Sequence, residues 1–166
     1  MKPIYFEITY NGIKVSKTKF TIPKYTLPAK DWLVHNQMYL NDKNMQIFTF
    51  IRNPLERVIL QYKHQIKHRP ALRQYPMSFK EWCKASFNDS NVDKFMQNNP
   101  KEFLSQKKWI EGFEDKNLGV FILDKDFKFS GVNFKKLNIE DYYDVETEKL
   151  IKFWYADDYN LINEYK

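Results

Sequence analysis

The stretch that most limits what this chain can fold into is Gln46-Ile47-Phe48-Thr49-Phe50-Ile51-Arg52-Asn53-Pro54-Leu55-Glu56-Arg57-Val58-Ile59-Leu60-Gln61-Tyr62. Its opening, Ile47 to Ile51, is a short apolar run bounded by polar residues, the length and composition of a buried strand. Arg52-Asn53-Pro54 breaks that strand, and Pro54 suits the first turn of a helix, where its missing N–H would be unpaired anyway. From there Leu55, Val58, Ile59, Tyr62 and Ile66 trace the stripe of one helical face. Strand, arginine-bearing turn and helix follow in order. Such a turn sets a guanidinium at the carboxyl end of a strand, beside a helix N-terminus, where α/β proteins bind anions.

A second buried strand is expected at Leu118-Gly119-Val120-Phe121-Ile122-Leu123, and helices around both strands make the class α/β. The 166 residues fit one domain large enough to bury a core without staples, divided into a hairpin and basic front over 1–28 and a core over 29–166. Aromatic residues make up 17% of the chain against only four glycines, which excludes a disordered composition. Cys83 is the single cysteine, so no intrachain disulfide can form. There is no apolar run of membrane-spanning length and no signal-peptide core at Met1-Lys2-Pro3-Ile4. The expected compartment is the cytoplasm, of a bacterium or of a cell hosting a virus.

The net charge of +6 is unevenly spread: Lys2, Lys14, Lys17, Lys19, Lys24 and Lys30 face only Glu7 in the first thirty residues. Such a front suits an anionic ligand. The same lysines would equally keep a hairpin soluble and blunt its edges. That hairpin is expected over residues 4–22, where Ile4 to Tyr10 is rich in β-formers, Asn11-Gly12 is a two-residue turn signal and Ile13 to Phe20 alternates.

A helix is expected from Ala29 to Leu40, one from Leu55 to His68, a loop from Pro70 to Pro76 and a helix capped by Ser78 with Glu81 at its third position. Another is expected from Asn88 to Met96, a short helical piece over Phe134–Leu137, and a long C-terminal helix capped by Asp144. His64 and His68 are four apart, but with no third ligand nearby and Lys63, Lys67 and Arg69 around them they read as a solvated or anion-attracting face, not as a metal site. Cys83 reads as a core residue, having no charged partner to activate it.

The arginine segment resembles the 3′-phosphate-binding segment of the carbohydrate sulfotransferase family, an aromatic strand followed by Arg-Asn/Asp-Pro-x-x-Arg-x-x-Ser-x-Tyr. Arg52, Asn53, Pro54, Arg57 and Tyr62 match, while Leu60 stands at the serine position. Asp141-Tyr142-Tyr143-Asp144-Val145-Glu146-Thr147 and Tyr155-Ala156-Asp157-Asp158-Tyr159 resemble the family's final helix, and Gln106 stands where its acceptor-side glutamine would be.

The resemblance, covering roughly residues 32–166, implies a shortened P-loop-like sulfotransferase domain. Its activity would be transfer of a sulfuryl group from 3′-phosphoadenosine 5′-phosphosulfate to a hydroxyl acceptor, such as an anionic glycan, without a metal. Arg52, with Arg57, would hold the 3′-phosphate and His35 would take the acceptor's proton. Lys17 and Thr18, in Ser16-Lys17-Thr18-Lys19-Phe20-Thr21, would stand for the phosphate loop. That string replaces the loop's small residues by Lys19 and Phe20, so an ordinary hairpin strand is the favoured reading there. The competing function is a catalytically inactive scaffold that binds a protein partner, a second copy or an anionic ligand. Nucleic-acid binding through the lysine-rich front is the weakest of the three readings.

Overall fold

The computed structural model describes residues 2–24, 26–39, 42, 44–88 and 100–166. Its centre is a parallel sheet of three strands in the order β1 (Ile4–Tyr5), β3 (Gln46–Arg52), β4 (Asn117–Leu123). Ile4 pairs with Ile47, and β3 and β4 run in register from Gln46 opposite Asn117 to Arg52 opposite Leu123. A separate antiparallel pair joins β2 (Ile13–Val15) to β5 (Val132–Phe134).

The expected N-terminal hairpin is therefore not formed. Ile4, Tyr5, Phe6 and Ile8 are all buried, so this segment presents apolar side chains to both sides, as a strand of a covered parallel sheet does. The Phe6 amide continues the ladder to the Phe48 carbonyl at 2.8 Å, and the Thr49 hydroxyl donates to the Phe6 carbonyl. Tyr10 (φ 67°) and Gly12 (φ 62°) do turn the chain. They send β2 across to β5 instead of back along β1.

Among the described residues these strands are surrounded by the helices α1 (Ala29–His35), α2 (Pro54–His68), α4 (Phe79–Ser86), α6 (Gln106–Ile110), α7 (Val145–Trp154) and α8 (Ala156–Glu164), with the short pieces α3 (Pro70–Gln74) and α5 (Pro100–Phe103) between them. Local chemistry sets several starts. Asn53 caps α2 by accepting the Leu55 amide at 3.0 Å, with Pro54 in the first turn. Ser78 and Glu81 form a reciprocal capping box on α4, and Asp144 caps α7 through the Thr147 amide at 2.8 Å.

Four other expectations are corrected. The helix from Ala29 ends at His35 and is followed by a 3₁₀ turn, Gln37–Tyr39. Pro70 starts a helical turn rather than a loop. The Phe134–Leu137 piece is not helical: Phe134 ends β5 opposite Ile13, and residues 135–137 have no regular structure. The C-terminal helix breaks at Tyr155, whose hydroxyl is drawn inward to the Phe103 carbonyl. The expected helix at Asn88–Met96 lies almost wholly outside the described residues.

Apolar burial falls in three clusters. On one sheet face Ile47 and Ile51 meet Trp32, Trp109, Phe113, Leu161 and Ile162. On the other, Tyr5, Phe20, Phe50 and Leu123 lie against the aromatic rings of Phe48, Phe121, Phe127, Phe129 and Phe134. The third packs the apolar stripe of α2 against α4 and α7 through Leu55, Val58, Ile59, Trp82, Cys83, Phe87 and Ile151. Burial pushes the Cys83 thiol well above its ordinary range, which leaves it a core residue. No helix among the described residues is long and apolar enough to cross a membrane.

The β2–β5 pairing sets Lys14 opposite Asn133. Opposed residues of an antiparallel pair lie about 4.5–5.5 Å apart, inside the range a disulfide spans. Lys14→Cys with Asn133→Cys, in a Cys83→Ala background, is expected to cross-link on oxidation and to raise stability by about 2–4 kcal/mol in urea unfolding. A hairpin over residues 4–22 would leave the pair unlinked.

Candidate anion site at the β3–α2 turn

Arg52 ends β3 at the carboxyl edge of the sheet, as its sequence context required, but its guanidinium points into protein. The residue is 1% exposed. Nε donates to Glu56 Oε2 at 2.5 Å, Nη1 to the Asn11 carbonyl at 2.9 Å and Nη2 to the Lys135 carbonyl. The Phe134 ring lies 5.5 Å from its central carbon. Every nitrogen of the fork is thus occupied, and its charge is matched by a carboxylate one helical turn away.

The loop that follows β1 explains this. In an α/β sheet the loops at the carboxyl ends of neighbouring strands make the ligand crevice, and an anion is held there by N–H groups. Here the loop presents carbonyls. Asn11 C=O takes Arg52, and Thr9 C=O accepts Arg57 Nε at 2.9 Å. The Asn11 side chain, itself buried, donates to the Phe50 carbonyl and to Gln106 Oε1. Gly12 allows the close approach: a Cβ there would stand 2.9 Å from Leu60 Cδ1 and 3.3 Å from Arg52 Nη1. Leu60 fills the space beside Gly12 with methyl groups.

Arg57 is held inside the protein as well, but only two of its three guanidinium nitrogens are paired. Its Nη1 donates to the Leu104 carbonyl at 2.8 Å, and the Tyr155 ring lies 5.9 Å from its guanidinium carbon. Its Nη2 is buried without a partner among the described residues, as are Gln61 Nε2 and Asn11 Oδ1. Surface clefts of about 550 and 540 Å³ lie between α6 and α8 and beside α7, and neither is lined by Arg52 or Arg57.

Lys17 and Thr18 lie elsewhere. The Lys17 carbonyl accepts from Lys2, which precedes β1, and Thr21 bridges to Ile4. This turn therefore sits at the amino end of a sheet whose carboxyl end holds Arg52, five residues further along β3 and about 16 Å away. Its amides are no cradle either: Lys19 and Phe20 donate theirs to the Ser16 carbonyl, and the Thr18 and Ser16 hydroxyls bond each other at 2.7 Å. His35 closes α1 as an exposed residue and forms no hydrogen bond or ion pair with the β3–α2 turn. The His64 and His68 rings lie 4.4 Å apart and tilted at 39°, and no cluster of metal-ligating side chains occurs among the described residues.

What the fold does bring together is the arginine turn and the C-terminal segment. The Tyr143 hydroxyl donates to the Leu55 carbonyl at 2.7 Å, and the Tyr159 hydroxyl to Asn53 Oδ1 at 3.3 Å. Gln106 grips the Arg52 backbone from both sides, accepting its amide at 2.8 Å and donating to its carbonyl at 2.7 Å. Buried Asp158 accepts the Lys107 amide at 3.0 Å. Burial raises the Asp158 carboxyl above the usual aspartate range, against the lowering effects of the Lys107 amide and the Arg57 charge. In the sequence Asn11 reads only as a turn former and Glu56 carries no role; the four-residue spacing of Glu56 from Arg52 is the available signal for the ion pair.

Removing one partner of a buried ion pair strands the other, so Glu56→Ala is expected to cost about 3–5 kcal/mol in denaturant unfolding. Gly12→Ala, strained by its positive φ and the Leu60 contact, is expected to cost about 1–3 kcal/mol. For Asp158 the folded state keeps a proton that the unfolded chain releases, so stability declines as pH rises past the ordinary aspartate range. Asp158→Asn abolishes that titration, and its urea midpoint is expected to gain on the wild type as pH rises above the ordinary aspartate range. No protein-family model matches the chain, and no curated protein or solved structure shows significant similarity to it.

Proposed function

We propose that this chain is a sulfotransferase-like scaffold that works by binding a protein partner or an anionic ligand, without sulfuryl transfer. The observation behind this reading is the Arg52 guanidinium, whose nitrogens are all taken by Glu56, Asn11 and Lys135. Gripping the 3′-phosphate of 3′-phosphoadenosine 5′-phosphosulfate would require those bonds to break and a buried Glu56 to face a dianion. That exchange is unfavourable on both counts. A donor site would further need Lys17 near Arg52, and a sheet length separates them.

The scaffold half of the reading is supported by the two segments that carry the resemblance, which meet through Tyr143, Tyr159 and Gln106 on the turn Arg52-Asn53-Pro54-Leu55. In an active transferase Arg52 would bind the donor and Arg57 would assist. In this chain both hold the post-β1 loop in place, the first through Asn11 and the second through Thr9.

Titration with adenosine 3′,5′-bisphosphate, the product common to such transfers, tests the proposal. A ligand at a hundred times its dissociation constant stabilises the native state by about 2.7 kcal/mol. The expected result is an unchanged unfolding midpoint at millimolar nucleotide. A saturable rise that disappears in Arg57→Lys would reinstate the donor site and the transferase reading.

A further inference from the structure

We infer that the β2–β5 ribbon is a binding surface for single-stranded nucleic acid, its lysines meeting the phosphates and a phenylalanine-lined cleft beside it taking a base. The surface does not include the arginine turn, and the inference stands whether or not the reading of that turn holds.

Charge on this protein is concentrated at the ribbon. Residues 1–24 and 124–136 carry nine lysines against Glu7, Asp124 and Asp126, which accounts for the whole net charge of +6; the rest of the chain carries none. The lysine-rich front legible in the first thirty residues is thus only part of the surface, and the fold supplies the remainder. Lys14 stands opposite Asn133, and the Ser16 amide donates to the Gly131 carbonyl at 2.7 Å. Beyond the pairing the two turns interlock: Lys2 Nζ donates to the Lys17 carbonyl at 3.1 Å, and Lys19 Nζ to the Ser130 hydroxyl. Lys2, Lys14, Lys17, Lys19 and Lys128 are all exposed and form no ion pair among the described residues. Lys30, Lys80, Lys84, Lys108 and Lys152, on the helices, are each matched by a carboxylate. Lysines that only kept an edge soluble would need no such segregation.

The aromatic residues among these lysines identify the ligand. Two clefts of about 480 and 500 Å³ flank the interlocked turns. Phe127, Lys128, Phe129, Ser130, Asn133 and Phe134 line the first, and Lys2, Lys17, Phe20 and Thr21 stand in the second. Phe129 of one cleft and Phe20 of the other lie 6.0 Å apart, so the clefts are neighbours, and no acidic side chain lines either. Clefts lined by one sign of charge focus the field and draw in a chain of the opposite sign. The Phe127 and Phe129 rings are half-buried and within 7° of parallel, their centres 6.4 Å apart, and both rest on buried Phe50. Rings fixed in one orientation and left partly open offer a flat face to a base, with Lys128, Ser130 and Asn133 beside it for phosphate and sugar. A cationic track with aromatic faces along it is how single strands are held without sequence preference. A duplex keeps its bases stacked inside, and an anionic bilayer has none, so either would engage the lysines and leave the recessed rings unused.

Fluorescence anisotropy of a labelled oligothymidylate of about 15 nucleotides, titrated with the full chain, tests this. Saturable binding is expected at about 50 mM salt, with log affinity falling against log salt by about 0.7 for each phosphate neutralised. Lys17→Gln with Lys128→Gln is expected to weaken binding tenfold or more and to flatten that slope by about 1.4. Phe127→Leu is expected to weaken binding about tenfold with the slope unchanged, which also shows the ribbon still folded, and Phe127→Tyr to keep the affinity. Lys80→Gln with Lys84→Gln, on α4, is expected to change neither quantity. Absence of binding at low salt would overturn the inference. So would an equal loss from the α4 pair, an affinity indifferent to Phe127→Leu, or tighter binding to a duplex of the same length or to phosphatidylserine vesicles.

Discussion

An arginine sealed inside protein must have its charge and its five N–H groups met there, and the carboxyl end of this sheet is arranged around that requirement. An unpaired ion moved out of water costs several kcal/mol even after relaxation. Glu56 supplies the counter-charge, and with the Asn11 and Lys135 carbonyls it gives each guanidinium nitrogen one acceptor. Each of the three comes from a different stretch: the first turn of α2, the loop after β1 and the chain just beyond β5. One side chain thereby ties together the parallel sheet, the long helix and the antiparallel pair.

The same demand explains the chemistry of the post-β1 loop. A loop that is to hold phosphate turns its amides toward the crevice, whereas one that is to hold guanidinium turns its carbonyls. Tyr10 and Gly12, both at positive φ, orient the carbonyls of Thr9 and Asn11 toward Arg57 and Arg52. Leu60 sets its methyl groups against the Gly12 turn.

Packing around the turn gives these residues a structural part. Gln106 bonds the Arg52 backbone as a neighbouring strand would, and Tyr143, Tyr155 and Tyr159 use their hydroxyls on Leu55, Phe103 and Asn53. These tyrosines bury their rings and satisfy otherwise stranded carbonyls and amide oxygens. A segment that looks like a binding signature is here a docking surface between the helical layer and the end of the sheet.

Local order was legible in the residues. The apolar run before Arg52, the proline at the start of α2, the Ser78–Glu81 box and the Asp144 cap each express a preference that acts within a few residues, and each holds in the fold. The parallel neighbour at Leu118–Leu123 was equally visible, because only a strand covered on both faces is apolar throughout. Partners chosen across the chain were not visible. Asn11-Gly12 announced a turn but not that β2 would leave β1 for β5, since a two-residue turn fixes direction locally while burial of Ile4, Tyr5 and Phe6 decides which strands pair. Arg52 announced a cation at a strand end, but whether its fork meets a ligand or the protein's own carbonyls depends on where residues forty before it and eighty after it come to lie. Sequence alone therefore determined the elements and the place of the charge. Tertiary structure alone decided what that charge holds, because hydrogen-bond partners distant along the chain are selected by packing and not by spacing.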